Sequence, residues 1–142
     1  MILDTTYLLP LAKIAVDTDL LGAVARRKAD IKLEDMSVSL ISIFELQAKG
    51  AKLHVPTNEV IRAVDAIMSA FRVAPFYESG TIEIAQTVRK TVSDYIDCII
   101  VATAISNKED LATEDSLILE KKGKLAREYN LRVVSFKDLA KH

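Results

Sequence analysis

The chain has one cysteine, no tryptophan, four glycines, three prolines and a formal net charge of −1, and each scarcity removes a class of protein. A lone cysteine, Cys98, excludes an intrachain disulfide framework and fits a reducing, cytoplasmic setting. Lying in the apolar run YIDCIIVATAI, it reads as a small buried hydrophobe. The few glycines and prolines, with no Ser/Gly linker, repeat or low-complexity tract, argue against a modular chain. No apolar run approaches the roughly 20 residues that span a bilayer, and MILDTTYLLP carries no basic leader, so neither a membrane segment nor a signal peptide is expected. A charge near zero provides no global positive field for nucleic acid, and any basic surface must be local. His54 and His142 are far apart in sequence, and HExxH, Cys/His zinc spacing, Walker A, GxGxxG and a nucleophile elbow are all missing. Zinc protease, NTPase and dinucleotide-binding readings fall away with them.

What is present is enough apolar sequence, 50% of 142 residues, for one domain with a proper core. Met1 to Leu3 is a short apolar run ending at Asp4. Asp17 or Asp19 suits the N-cap of LLGAVARRKA, whose Arg26, Arg27 and Lys28 suit a helix C-terminus. Met36 to Ile41 alternates like a strand. Ser42 with Glu45 three residues on matches a capping box opening ISIFELQAKGAKL, and Pro56, Thr57 and Asn58 open EVIRAVDAIMSAF. Arg72 to Tyr77 reads as strand, Thr81 to Val92 as helix, and a further helix follows from Asp94. Leu111 to Thr113 is a brief strand, Leu117 to Tyr129 is helical around Gly123, and Leu131 to Ser135 closes the sheet. Strands alternating with helices predict an α/β layered fold with a mostly parallel sheet, whose strand carboxyl ends form the ligand crevice.

Four acids stand at such junctions: Asp4 in ILDTT, Glu45 in SIFELQ, Asp97 in YIDCII and Asp115 in LATEDS. Asp97 is the sharpest, since the helix around it is otherwise apolar and expected to be buried, where an ionised carboxylate is costly unless compensated. Each acid has an ordinary rival explanation as a turn or cap residue, and Glu45 could complete the capping box with Ser42. Asp94, three residues before Asp97, shares its helix face and reads as an N-cap. Capping explains the acids singly and gives no reason for their recurrence across separate junctions of one fold. Convergence on a hard divalent cation does, because Mg2+ or Mn2+ binds carboxylate oxygens and holds them ionised. Acidic nucleases are built this way, with the ion activating water and orienting the scissile phosphate. Basic residues cluster locally at Arg26 to Lys28, Lys49 with Lys52, Arg89 with Lys90, and Lys121 to Lys124, mostly as solvated helix faces.

Over essentially its whole length the sequence resembles the PIN-domain family, and within it the small VapC-type toxins of prokaryotes. ILDTTYLL resembles the family's opening strand with its first aspartate, and SLISIFELQAKG the strand and helix that supply its glutamate. YIDCIIVATAI resembles the aspartate-led small-residue helix, and LATEDSLI the turn with the last aspartate. By this matching Asp4, Glu45, Asp97 and Asp115 take the catalytic, metal-binding roles, Asp94 is an extra acid that could reach a second metal, and Thr6 or Thr113 are supporting hydroxyls. Glu114 stands where the family often has a basic or small residue, which leaves the identity of the fourth ligand open. The resemblance implies one PIN-like nuclease domain over residues 1–142, built as an α/β/α sandwich around a parallel sheet. It further implies Mg2+- or Mn2+-dependent RNA cleavage, frequent homodimers and, for the toxins, an antitoxin whose tail blocks the site. The apolar face of IRAVDAIMSAF also favours a homodimer.

Two other classes fit part of the pattern. A PIN-like fold can serve as a noncatalytic RNA- or protein-binding module, with the acids as structural caps, and nothing in the motifs separates a toxin from a housekeeping RNA-processing PIN nuclease. Phosphatases and receiver domains also place Asp at strand ends, but there is no DxDxT after Leu3 and no lysine in an obvious receiver motif.

Overall fold

Residues next to each other on every central strand face opposite sides of one parallel sheet, and this alternation divides the core in two. The computed structural model describes residues 1–141; His142, one of the two histidines, lies outside the described residues. The strands are β1 (Ile2–Leu3), β2 (Ser37–Ser39), β3 (Arg72–Ala74), β4 (Leu111–Ala112) and β5 (Val133–Val134), in the order β3-β2-β1-β4-β5 with every pairing parallel. The helices are α1 (Leu20–Ala25), α2 (Leu40–Lys52), α3 (Thr57–Ala70), α4 (Ser79–Val88), α5 (Tyr95–Ser106), α6 (Ser116–Glu120), α7 (Lys122–Tyr129) and α8 (Phe136–Leu139).

Leu3, Val38, Ala112 and Val134 pack on one face against Leu20 of α1, Leu46 of α2, Ile67 of α3 and Leu139 of α8. Ile2, Leu111 and Val133 pack on the other against Val88 of α4, Ile100 and Val101 of α5, Ile118 of α6 and Leu125 of α7. The result is the α/β/α layering expected from the alternation of strands and helices. Strands of two or three residues make few ladder hydrogen bonds, so this sheet depends on apolar burial by the flanking helices. Among the described residues no helix is long and apolar enough to cross a membrane.

Several elements differ from their sequence reading. The strands are shorter: the segment from Arg72 keeps ladder pairing only to Ala74. Between β1 and α1 the chain forms a 3-10 helix, Thr5–Ala12, that the pattern hides because Tyr7, Leu8 and Leu9 are buried in succession, with no helical period. Asp4 caps its start through Thr5 N, and Lys13 ends it in the left-handed region (φ 62°). Helix α2 starts at Leu40 with Ser39 as N-cap, so Ser42 is already inside it and buried. The predicted Ser42/Glu45 capping box is therefore absent, and Glu45 is released from that role. The stretch 117–129 divides at Lys121, which ends α6 and precedes α7.

Parallel pairing sends all strand carboxyl ends to one edge of the sheet. Asp4 directly follows β1, α2 with Glu45 directly follows β2, and Thr113 to Asp115 follow β4. These are the three central, adjacent strands. At the opposite edge Glu109, just before β4, pairs with Arg72 of β3 and accepts from Ser37 Oγ of β2 at 3.2 Å. That anchor fixes the relative heights of the strands whose far ends carry the acids.

Candidate functional site

Asp4 is buried at the carboxyl end of β1, only 7% exposed, and both its oxygens are engaged. Oδ1 accepts from Thr5 N at 2.7 Å and Oδ2 from Thr113 Oγ1 at 2.6 Å. Thr113 is fully buried, and its hydroxyl oxygen also accepts from Asp115 N at 3.0 Å. On the β2 side, Thr5 Oγ1 lies 2.9 Å from Ser42 Oγ and donates to Glu45 Oε1. At the start of the 3-10 helix after β1 it is thus the Thr5 hydroxyl that meets α2, while Thr113 bonds Asp4; Thr6, half-buried, enters no side-chain hydrogen bond among the described residues. Ser42, read from the sequence as a cap, is the third hydroxyl of this network.

The remaining acids sit at helix starts. Asp94 is the N-cap of α5 and accepts from Asp97 N at 3.1 Å, while Asp115 is the N-cap of α6 and accepts from Ile118 N at 3.0 Å. Each cap uses Oδ1, which leaves the second oxygen for other chemistry. Glu114 turns away from this group: its Oε2 accepts from Tyr7 O–H and from Phe136 N, the latter at 2.7 Å. It fastens the buried Tyr7 to the start of α8, so at this corner Asp115, and not Glu114, belongs with the other acids.

The electrostatics express the crowding. Burial raises the Asp97 carboxyl to about 7, and Asp4, Asp115, Asp94 and Glu45 all push in the same direction by repulsion. Asp4 is also raised, first by burial and then by Asp115, against the pull of its Thr113 and Thr5 hydrogen bonds. Glu45 is raised by burial, with Asp4 and Asp94 adding to it and Thr5 and Lys49 opposing. Five carboxylates therefore act on one another across a single edge of the sheet. Among the described residues no three His, Cys, Asp or Glu side chains close tightly enough to hold an ion directly. The donor chemistry nevertheless fits a hard divalent cation, since the available groups are carboxylate and hydroxyl oxygens with no thiolate or imidazole among them. Mg2+ in particular keeps several waters and needs only one or two protein carboxylates, so it does not demand closure of the whole set.

The sequence matches the family model of the PIN domain over residues 1–125, and the chain belongs to that family. No curated protein matches it. Among solved structures it is similar to FitAcB from Neisseria gonorrhoeae, at 20% identity and a TM-score of 0.68, with 96% of this chain and 97% of that one covered. It is also similar to VapBC-5, a toxin–antitoxin system member from Mycobacterium tuberculosis, at 15% identity and a TM-score of 0.61, covering 94% and 96%. A third similar structure is VapBC2 from Rickettsia felis, solved bound to a DNA fragment from its promoter, at 17% identity and a TM-score of 0.59 with the same coverage. At these identities the likeness is one of fold, and it extends over nearly the whole of each chain.

Proposed function

We propose that this protein is a metal-dependent endoribonuclease of the PIN family, hydrolysing RNA phosphodiester bonds as the toxin of a toxin–antitoxin pair. The carrying observation is Asp97, held near a pKa of about 7 by burial and by four neighbouring carboxylates. Repulsion of that kind is tolerated in a fold when a cation is to neutralise it, and perturbed groups of this kind cluster at functional sites. Mg2+ or Mn2+ would be held by Asp4, Glu45, Asp97 and Asp115, with Asp94 as an additional ligand, and would supply an activated water and a counter-charge for the phosphate. The chain's own residues do the positioning. Thr113 orients Asp4 and the backbone of Asp115, and Thr5 with Ser42 orients Glu45. The hydroxyl network thereby fixes which carboxylate oxygens face the cleft before a substrate arrives.

An antitoxin is the partner this reading implies, in keeping with the toxin–antitoxin complexes whose fold it shares. An apolar hollow lined by Leu40, Phe44 and Phe76 borders the Glu45 helix and suits a protein partner that covers the site. A homodimer is proposed through α3, where Ile61 and Met68 are both more than half exposed. Cytoplasmic location follows from the same reading. Incubation with single-stranded RNA in Mg2+ or Mn2+, beside an EDTA control and phosphorylated small molecules, tests the activity. Cleavage of RNA alone, abolished by EDTA, is expected; RNA left intact at every metal concentration overturns the proposal and returns the fold to a binding role.

A further inference from the structure

Beside the acids, a cavity of about 220 Å3 opens between the start of α5 and the junction of α6 with α7. Asp94 and Asp97 at the start of α5 line one side, Leu117 and Lys121 the other, and Thr91 and Ser93 complete the lining. Two features of this lining bear on a ligand. Leu117 is 60% exposed although it belongs to a helix whose next residue, Ile118, is fully buried. Lys121, a cation lining the same space as two carboxylates, enters no ion pair among the described residues. Lys49, by contrast, offsets the charge of Glu45 on the far side of the site.

The combination matches one ligand chemistry. An apolar side chain offers a face for a base, an unpaired ammonium binds a phosphate, and free hydroxyls suit a ribose 2′-OH. The volume lies below the roughly 300 Å3 at which pockets for drug-sized ligands begin, so it can take no more than one nucleotide unit. Resting on the nuclease reading above, we propose that this cavity is the subsite for the nucleotide adjoining the scissile phosphate, with Lys121 on its phosphate and Leu117 against its base. A protein of net charge −1 offers RNA no general attraction; a cation at the rim of the acidic edge supplies a local one and sets where the strand enters. The division of labour is then plain. The acids act on the bond that breaks, and Lys121 is a binding residue that positions the strand across them.

The test is the affinity of a fluorescein-labelled, unstructured RNA oligonucleotide, read by anisotropy in EDTA over a range of salt concentrations, for the wild type, Lys121→Gln and Leu117→Ser. Both positions are exposed, and thermal melts establish that the variants fold. Lys121→Gln is expected to weaken binding several-fold and to reduce the slope of log affinity against log salt by about 0.7, one single-strand phosphate contact. Leu117→Ser is expected to weaken binding with no change of slope, because it removes a stacking surface and no charge. In cleavage assays Lys121→Gln raises KM more than it lowers kcat, and replacing the RNA by DNA of the same sequence weakens binding. Wild-type affinity and slope in Lys121→Gln, with RNA cleavage intact in the wild type, overturn the subsite and leave the nuclease reading standing. A wild type that neither binds nor cleaves RNA overturns both.

Discussion

Thr113 donates its hydroxyl hydrogen to Asp4 Oδ2 at 2.6 Å, joining the end of β4 to the end of β1, while its oxygen receives Asp115 N at 3.0 Å. One buried side chain thus orients an acid on each of two strands. Thr113→Val keeps the shape and removes both bonds, leaving Asp4 short of a donor in a buried place. A loss of about 1–3 kcal/mol is expected, read by urea unfolding with an unchanged denaturant slope. Thr113→Ser should recover most of it.

Asp97→Asn removes one charge at constant size. If the acids hold a metal, Mn2+ affinity and RNA cleavage should each fall by roughly 10–100-fold, the loss that even outer-shell partners of a metal produce. Folding should persist, because the change relieves repulsion from Asp4, Asp115, Asp94 and Glu45. Calorimetric titration with Mn2+ and a cleavage assay provide the readouts. Full activity in the variant removes Asp97 from the site.

The pH dependence of metal-free stability follows from the same group. In the folded chain the Asp97 carboxyl sits at about 7, against an ordinary value of 3.8, so between these values the folded state binds more protons than the unfolded state. Stability from this group is complete below about 4 and declines as pH rises through about 7. Thermal melts in EDTA should therefore show the wild type losing ground relative to Asp97→Asn as the buffer moves from pH 5 to pH 8. Saturating Mn2+ should remove the difference in slope, since the bound ion favours the ionised form.

Tyr7 is completely buried and donates to Glu114, which also receives Phe136 N. Tyr7→Phe leaves a carboxylate with one donor fewer and is expected to cost about 1.5–3 kcal/mol, as for hydrogen bonds to charged groups. Burial and the carboxylate push this phenol well above the usual range, so alkaline ultraviolet titration should find one tyrosine that ionises only as the chain unfolds.

A dimer through α3 predicts a doubled mass by light scattering at micromolar concentration. Ile61 and Met68 lie two turns apart on one face of that helix, and both are exposed. Met68→Asp should yield the monomer without a lower melting point, whereas a wild type that is already monomeric removes this interface.

The sequence by itself determined the class of fold and the junctions at which acidic residues stand. Alternating short apolar runs and amphipathic stretches leave little choice but a layered α/β chain, and acids that end strands or open helices are legible because no apolar period accounts for them. Asp97 stood out for the same reason, as the single charge of α5. Tertiary structure decided the rest, because the remaining questions turned on groups distant in the chain. Whether Glu45 closes a capping box with Ser42 depended on α2 starting at Leu40, which frees Glu45 to meet Thr5, 40 residues earlier. Glu114 and Asp115 are adjacent and chemically alike; only the positions of Tyr7 and Phe136 bind one of them to the start of α8 and leave the other at the acidic edge. Lys121 is one of several basic residues in its stretch of sequence, and it is singled out by its place at the break between two helices, where it lines one cavity with Asp94 and Asp97. Periodicity reports what one element does with its own faces. Hydrogen bonds and cavities join residues from different elements, and their partners exist only once the chain has closed.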